Sequence, residues 1–210
     1  MHNKSFENAG QNNALLGRRK RRGADKLTQA LGKSMNKRAP IQKQHERSVM
    51  LNFLEWYNDE NKTSFVIYAE PEPPEALIKD GNNKSWLEVT DTFYSAEWAK
   101  TKLSYATPGE KNHPWKGGLQ INMDEHFANQ FVENLHKKLI KKSYSPFKEQ
   151  YGAGILLINL EYPWLDQNTF DDITKCCENT DWSEDLSNFS EVYIVYPSMN
   201  KKAFAKLQYA

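Results

Sequence analysis

Residues 70–91 read Glu70-Pro-Glu-Pro-Pro-Glu-Ala-Leu-Ile-Lys-Asp-Gly-Asn-Asn-Lys-Ser-Trp-Leu-Glu-Val-Thr-Asp91. Prolines at 71, 73 and 74 stop any strand that precedes them, because proline has no backbone N–H to give a ladder. Asp80-Gly81-Asn82-Asn83 is strong turn chemistry between Ala76–Lys79 and Ser85–Thr90, so the stretch predicts a β-hairpin. A turn centred between Asn82 and Asn83 pairs Leu77 with Glu88 and Glu75 with Thr90. Side chains alternate along a strand, which places Glu75, Glu88 and Thr90 on one face.

Upstream, Ser64–Ala69 is a β-branched and aromatic run that predicts a strand. Before it, Met50, Phe53, Leu54 and Tyr57 recur at helical spacing, predicting a helix over 44–58 with Glu46 and Arg47 in its first turns. Downstream, residues 93–104 are weakly helical, and 105–121, with two prolines and three glycines, read as a long loop. Asn122 and Glu125 have capping-box spacing and open a helix whose apolar stripe is Phe127, Phe131, Leu135 and Leu139, running to about Lys142. Ile155–Leu160 and Val192–Tyr196 are apolar runs of the kind found in strands covered on both faces, and Phe170–Cys177 predicts a short helix between them. The resulting order is helix, three strands, helices, strand, short helix, strand, which is an α/β pattern.

At 210 residues, 39% hydrophobic, the chain has the length and composition of one ordinary domain. It has no apolar run near the roughly 20 residues that span a bilayer and no apolar leader, so the expectation is a soluble, cytoplasmic protein without a membrane partner. Cys176 and Cys177 are adjacent, which suits neither a disulfide framework nor a zinc site, and they read as reduced and structural. The net charge of +1 conceals an asymmetry: residues 1–45 carry eleven Lys or Arg against two acids, leaving 17 against 25 in the rest. A disordered basic arm over 1–43 followed by one α/β domain over 44–210 accounts for this. The arm is suited to phosphate contacts with nucleic acid, or else to solubility or localisation.

Diagonal neighbours on an antiparallel pair lie roughly 7–8 Å apart, a span that two long carboxylates can close around one hard cation. A cation so held can polarise a phosphodiester oxygen and acidify a water, with a lysine offsetting developing charge. Solvent-facing acids on an ordinary hairpin are the plain alternative. His113, Trp115 and Lys116 in the long loop combine an aromatic with basic groups, as a base-stacking contact does, or form a simple surface loop. His126 and His136 lack zinc-ligand spacing, and the chain has neither a phosphate-binding glycine loop nor a nucleophile elbow.

Pro74-Glu75, a short hairpin and then Glu88-Val89-Thr90 together resemble the signature of the PD-(D/E)XK nuclease superfamily. The resemblance implies a restriction-endonuclease-like αβββαβ core, with a central mixed sheet flanked by helices. It implies that Glu75 stands for the motif aspartate, that Glu88 is the second acid, and that Glu46 matches an acid on the first helix. These three would be the ligands of Mg²⁺, or Mn²⁺, in an enzyme hydrolysing DNA phosphodiester bonds. The sequence departs from the signature at Glu75, a mild change, and at Thr90, where the usual lysine is missing. Members of the superfamily can take the ammonium from a neighbouring helix, and here Lys138, bordering the buried stripe, is the first candidate and Lys142 the second. The catalytic set is then Glu75, Glu88 and Lys138. Two alternatives stand beside it: a catalytically inactive nucleic-acid-binding or regulatory protein on the same fold, and an unrelated α/β interaction module.

Overall fold

The computed structural model describes residues 38–117, 121–182, 188–198 and 201–207, so the expected basic arm lies, up to residue 37, outside the described residues. Helix α1 runs over 38–61, longer at both ends than its apolar spacing predicts. Residues 38–43, read from composition as arm, are therefore helical, and Glu46 has at least two turns of helix before it. Helix α1 is followed by strands β1 (Val66–Ala69), β2 (Ala76–Asp80) and β3 (Asn83–Phe93), then helices α2 (Ala96–Ala106) and α3 (Met123–Leu139). Helix α4 (Ser145–Tyr151), strand β4 (Gly154–Glu161), helix α5 (Gln167–Glu178) and strands β5 (Phe189–Ser198) and β6 (Lys201–Lys206) complete the order.

The six strands form one mixed sheet in sequential order, antiparallel at β1-β2-β3, parallel at β3-β4-β5 and antiparallel at β5-β6. Helices cover both faces. On one, Val49, Met50, Phe53 and Leu54 of α1 pack on Ala76, Ile78, Leu87, Val89, Ile155, Leu157, Tyr193 and Val195. On the other, Phe127, Phe131, Leu135 and Leu139 of α3 and Ile173 and Cys177 of α5 pack on Leu77, Trp86, Leu156, Ile158, Val192 and Ile194. The even and odd members of each strand thus serve different cores, as the two-residue repeat demands. Both cysteines are free thiols. No helix among the described residues is long and apolar enough to cross a membrane.

The hairpin register differs from the expected one. Asp80 pairs with Asn83 and Leu77 with Trp86, so the turn residues are Gly81 and Asn82, with Gly81 at φ +57°. Glycine at the first central position is what a two-residue type II′ turn needs, and that backbone preference outweighs the second asparagine as turn centre. The shift is two residues in the partner, so every side chain keeps its face. The capping box expected at Asn122 is also absent. Asn122 is left-handed at φ +56°, and its amide bonds the Glu125 carboxylate at 3.2 Å instead of any backbone N–H. A true capping box opens α5, between Asp166 and Thr169.

Candidate functional site

The β2-β3 ladder ends at the Ala76–Leu87 pair, because the preceding prolines take the chain away from the sheet. From Glu88 to Phe93, β3 is paired only with β4 on its other side. Val89, Thr90, Asp91 and Phe93 of this half-open stretch line a cavity of about 440 Å³, walled also by Ile41, His45 and Glu46 of α1, Glu75 before β2, Lys102 of α2 and Lys138 of α3, and Glu88 is not among its lining residues.

Glu75 and Glu88 are the next residues beyond the last rung on their respective strands, so the corrected register sets them closer than the predicted one did. Glu88 is almost completely buried, its side chain 3% exposed. Lys138 Nζ donates to Glu88 Oε1 at 2.7 Å, and the Tyr144 hydroxyl donates to the same oxygen at 2.6 Å. Glu88 Oε2 is buried and has no hydrogen-bond partner among the described residues. A buried acceptor left without a partner is costly.

Glu46 approaches Glu75 from the α1 side, and both carboxyls line the cavity. Burial, then the charges of Glu46, Glu88 and Glu72, push the Glu75 carboxyl up to about 7 despite Lys138 nearby. Glu46 is also raised, first by burial and later by Asp91, and is partly relieved by Gln42 Nε2 at 2.8 Å. The four residues singled out in sequence, Glu46, Glu75, Glu88 and Lys138, are therefore neighbours. Thr90 lines the same cavity.

Among the other lysines in and just after α3, Lys137 pairs with Glu133 at 2.6 Å and Lys141 lies over the Tyr144 ring at 5.1 Å. Lys142, the second candidate, begins the 3₁₀ turn after α3 and is exposed. Lys138 differs because it borders the buried stripe that faces the sheet.

A second charged group in the cavity has no counterpart in the sequence reading. His45 Nε2 is 3.2 Å from Asp91 Oδ1, and the wholly buried Asn159 donates to Asp91 at 2.8 Å and to Glu161 at 2.9 Å. Lys102 pairs with Glu161, and Lys202 Nζ donates to Asn159 Oδ1 at 2.7 Å. The bond to Asp91 raises the imidazole pKa, whereas burial lowers that of the Lys202 ammonium. His45, Asp91 and Glu161 present ligand atoms within 4.8 Å of one another. Lys102 pairs with Glu161, His45 with Asp91, and the Asn159 amide bonds both carboxylates, so each acid of this group has a partner.

The long loop is pinned rather than open. Trp115 packs against Trp98 at 5.6 Å and Trp164 at 5.2 Å, and the His113 backbone N–H donates to Ser104 Oγ at 2.9 Å. Gly117 has no side chain where Trp115 folds back, since a Cβ there would fall within 2.1 Å of the indole. Trp115 is thus a packing residue, whereas its neighbour Trp164 is 43% exposed.

No protein-family model matches the chain, and no curated protein or solved structure matches it.

Proposed function

We propose that the protein is a metal-dependent nuclease acting on DNA, built on a restriction-endonuclease-like version of the α/β fold. The observation that carries this reading is the convergence of Glu46, Glu75 and Glu88 with Lys138 at the open stretch of β3, where Glu88 Oε2 is buried without a partner. Three carboxylates stand against one ammonium, and burial together with the charges of Glu46 and Glu88 raises the Glu75 carboxyl to about 7. A hard divalent cation relieves that excess, and oxygen donors are the ligands it prefers. Glu46, Glu75 and Glu88 would hold Mg²⁺ or Mn²⁺, which supplies Lewis-acid polarisation of a phosphodiester oxygen and an acidified water.

The remaining work falls to the chain. Lys138, 23% exposed and lining the cavity, is able to offset charge developing on the phosphate. Thr90 offers a hydroxyl to a water in the same space. Residues 1–37 carry nine basic side chains against two acids, and they would add phosphate contacts without sequence preference. Removing them is expected to weaken DNA binding and flatten its salt dependence, measured by fluorescence anisotropy across a salt series.

The alternative of a silent DNA-binding or regulatory protein draws on one observation, that Lys138 is tied to Glu88 while Thr90 holds the usual lysine position. A cleavage assay on plasmid and single-stranded DNA with Mg²⁺ or Mn²⁺ separates the two. Cutting that requires the metal and falls at least about 100-fold in Glu88→Gln, near 2.7 kcal/mol of transition-state stabilisation, supports the enzyme. Cutting that survives this substitution removes the site, and DNA binding without cutting selects the silent protein.

A further inference from the structure

Lys138 and Tyr144 compete for one oxygen. Both donate to Glu88 Oε1, at 2.7 and 2.6 Å, and their own polar atoms are 3.5 Å apart. A carboxylate oxygen has about two acceptor positions, so Oε1 is filled and Oε2 is left over. The two donors are not equivalent in how they are held. Tyr144 is fully buried, its ring packed on Trp86 at 5.5 Å and on Phe189 at 5.3 Å. Trp86 is itself anchored by its indole N–H on the Gly152 carbonyl at 2.9 Å and lies so close over Gly154 that a Cβ there would come within 2.4 Å. The phenol hydroxyl therefore has a fixed origin in the core. Lys138 instead reaches its bond through a long, rotatable chain, is 23% exposed, and lines the cavity where Tyr144 does not.

We propose that Tyr144 is the positioning residue of the site: its hydroxyl keeps hold of Glu88 Oε1, reserves Oε2 for the cation, and frees Lys138 to exchange Glu88 for a substrate phosphate. The inference rests on the metal-dependent reading and divides the labour within it. A neutral hydroxyl can stay on a carboxylate that also binds a divalent cation. An ammonium on the same carboxylate repels the cation, so the two residues act on metal affinity with opposite signs. Nothing else on Glu88 offers a neutral donor, since these are its two hydrogen bonds among the described residues.

The test is Mn²⁺ binding to the full chain by isothermal titration calorimetry at fixed pH and salt, for wild type, E88Q, Y144F and K138M. Y144F keeps the ring and its contacts, and its Kd for Mn²⁺ is expected to rise about 10–100-fold, as when the partner of a ligating carboxylate is removed. K138M is expected to bind Mn²⁺ as tightly as wild type or more tightly. A Y144F protein with wild-type affinity, or a K138M protein weakened as much as Y144F, overturns the role of Tyr144. Wild type that fails to bind Mn²⁺, or E88Q that binds it unchanged, removes the metal reading and this inference with it. If Y144F loses its native circular dichroism, 3-fluorotyrosine at 144 gives the second readout. Its ¹⁹F resonance is expected to shift when Mg²⁺ is added, and a resonance indifferent to Mg²⁺ overturns the proposal.

Discussion

The cavity brings together two charged clusters that satisfy themselves to different degrees. Around Asn159, Asp91 has His45 and Glu161 has Lys102, while Lys202 closes the amide's other side. Around Glu75, Lys138 is bonded to Glu88 and acts on Glu75, one oxygen of Glu88 is unpartnered among the described residues, and burial with the neighbouring charges raises the Glu75 carboxyl to about 7. Both clusters use the same residue types in the same partly desolvated space. The difference is that the second leaves a carboxylate oxygen without a partner, and that incompleteness, rather than the count of acids, is what makes it the candidate site proposed above.

The comparison breaks most visibly at Lys138. Lys138→Met leaves Glu88 buried with only the Tyr144 hydroxyl and removes the counter-charge of Glu75. Losing one partner of a buried pair costs about 3–5 kcal/mol, and the low end applies because Lys138 still faces solvent in part. Urea denaturation without divalent cations is the measurement. In an E88Q background the same substitution is expected to cost far less, and equal costs in both backgrounds would show that the ammonium is not acting through Glu88.

Glu75 gives a smaller effect with the opposite sign. Its folded-state carboxyl titrates near 7, above its ordinary value of 4.5, so the folded protein takes up a proton that the unfolded chain releases between those limits. That uptake favours folding at low pH and is lost as pH rises to 7 and beyond. Glu75→Gln removes the repulsion, and metal-free E75Q is expected to be more stable than wild type, with the gain larger at about pH 8 than at about pH 5.5. For a chain of this size each kcal/mol gained raises Tm by about 2–4 °C. A gain independent of pH would mean that the Glu75 carboxyl is not raised. Added Mg²⁺ is expected to narrow the difference by stabilising wild type more than E75Q.

Much of the incomplete cluster is legible along the chain, and almost none of the complete one is. The expected and observed registers differ by two residues, so alternation keeps Glu75 and Glu88 on one face, and the error in locating the turn moved them along the strands without separating them. The apolar stripe of α3 sets the angular position of Lys138 in the same way. Tyr144 follows Lys-Lys-Ser and precedes Ser-Pro, a context with no local sign of burial, and only its contact with Trp86 and Phe189 makes it a core residue. His45, Asp91, Asn159 and Lys202 come from α1, β3, β4 and β6, and no spacing links them. Strand β6 itself, Lys-Lys-Ala-Phe-Ala-Lys, has helix-forming composition and is a strand because it pairs with the free side of β5.

The balanced cluster yields the smallest effect and the sharpest contrast. Lys102→Met removes an ammonium that pairs with a carboxylate just as Lys138 does, but Lys102 is 45% exposed and Glu161 keeps its bond from Asn159. Ion pairs open to solvent contribute about 0–1 kcal/mol, so urea denaturation of K102M is expected to fall within that range of wild type. Calorimetric Mn²⁺ affinity is expected to change less than twofold, because no partnerless carboxylate oxygen is uncovered at the cluster that would hold the ion. Should K102M instead gain a second Mn²⁺ equivalent, His45, Asp91 and Glu161 would be a cation site that Lys102 had been closing, and the distinction between the two clusters would then rest on one mobile lysine.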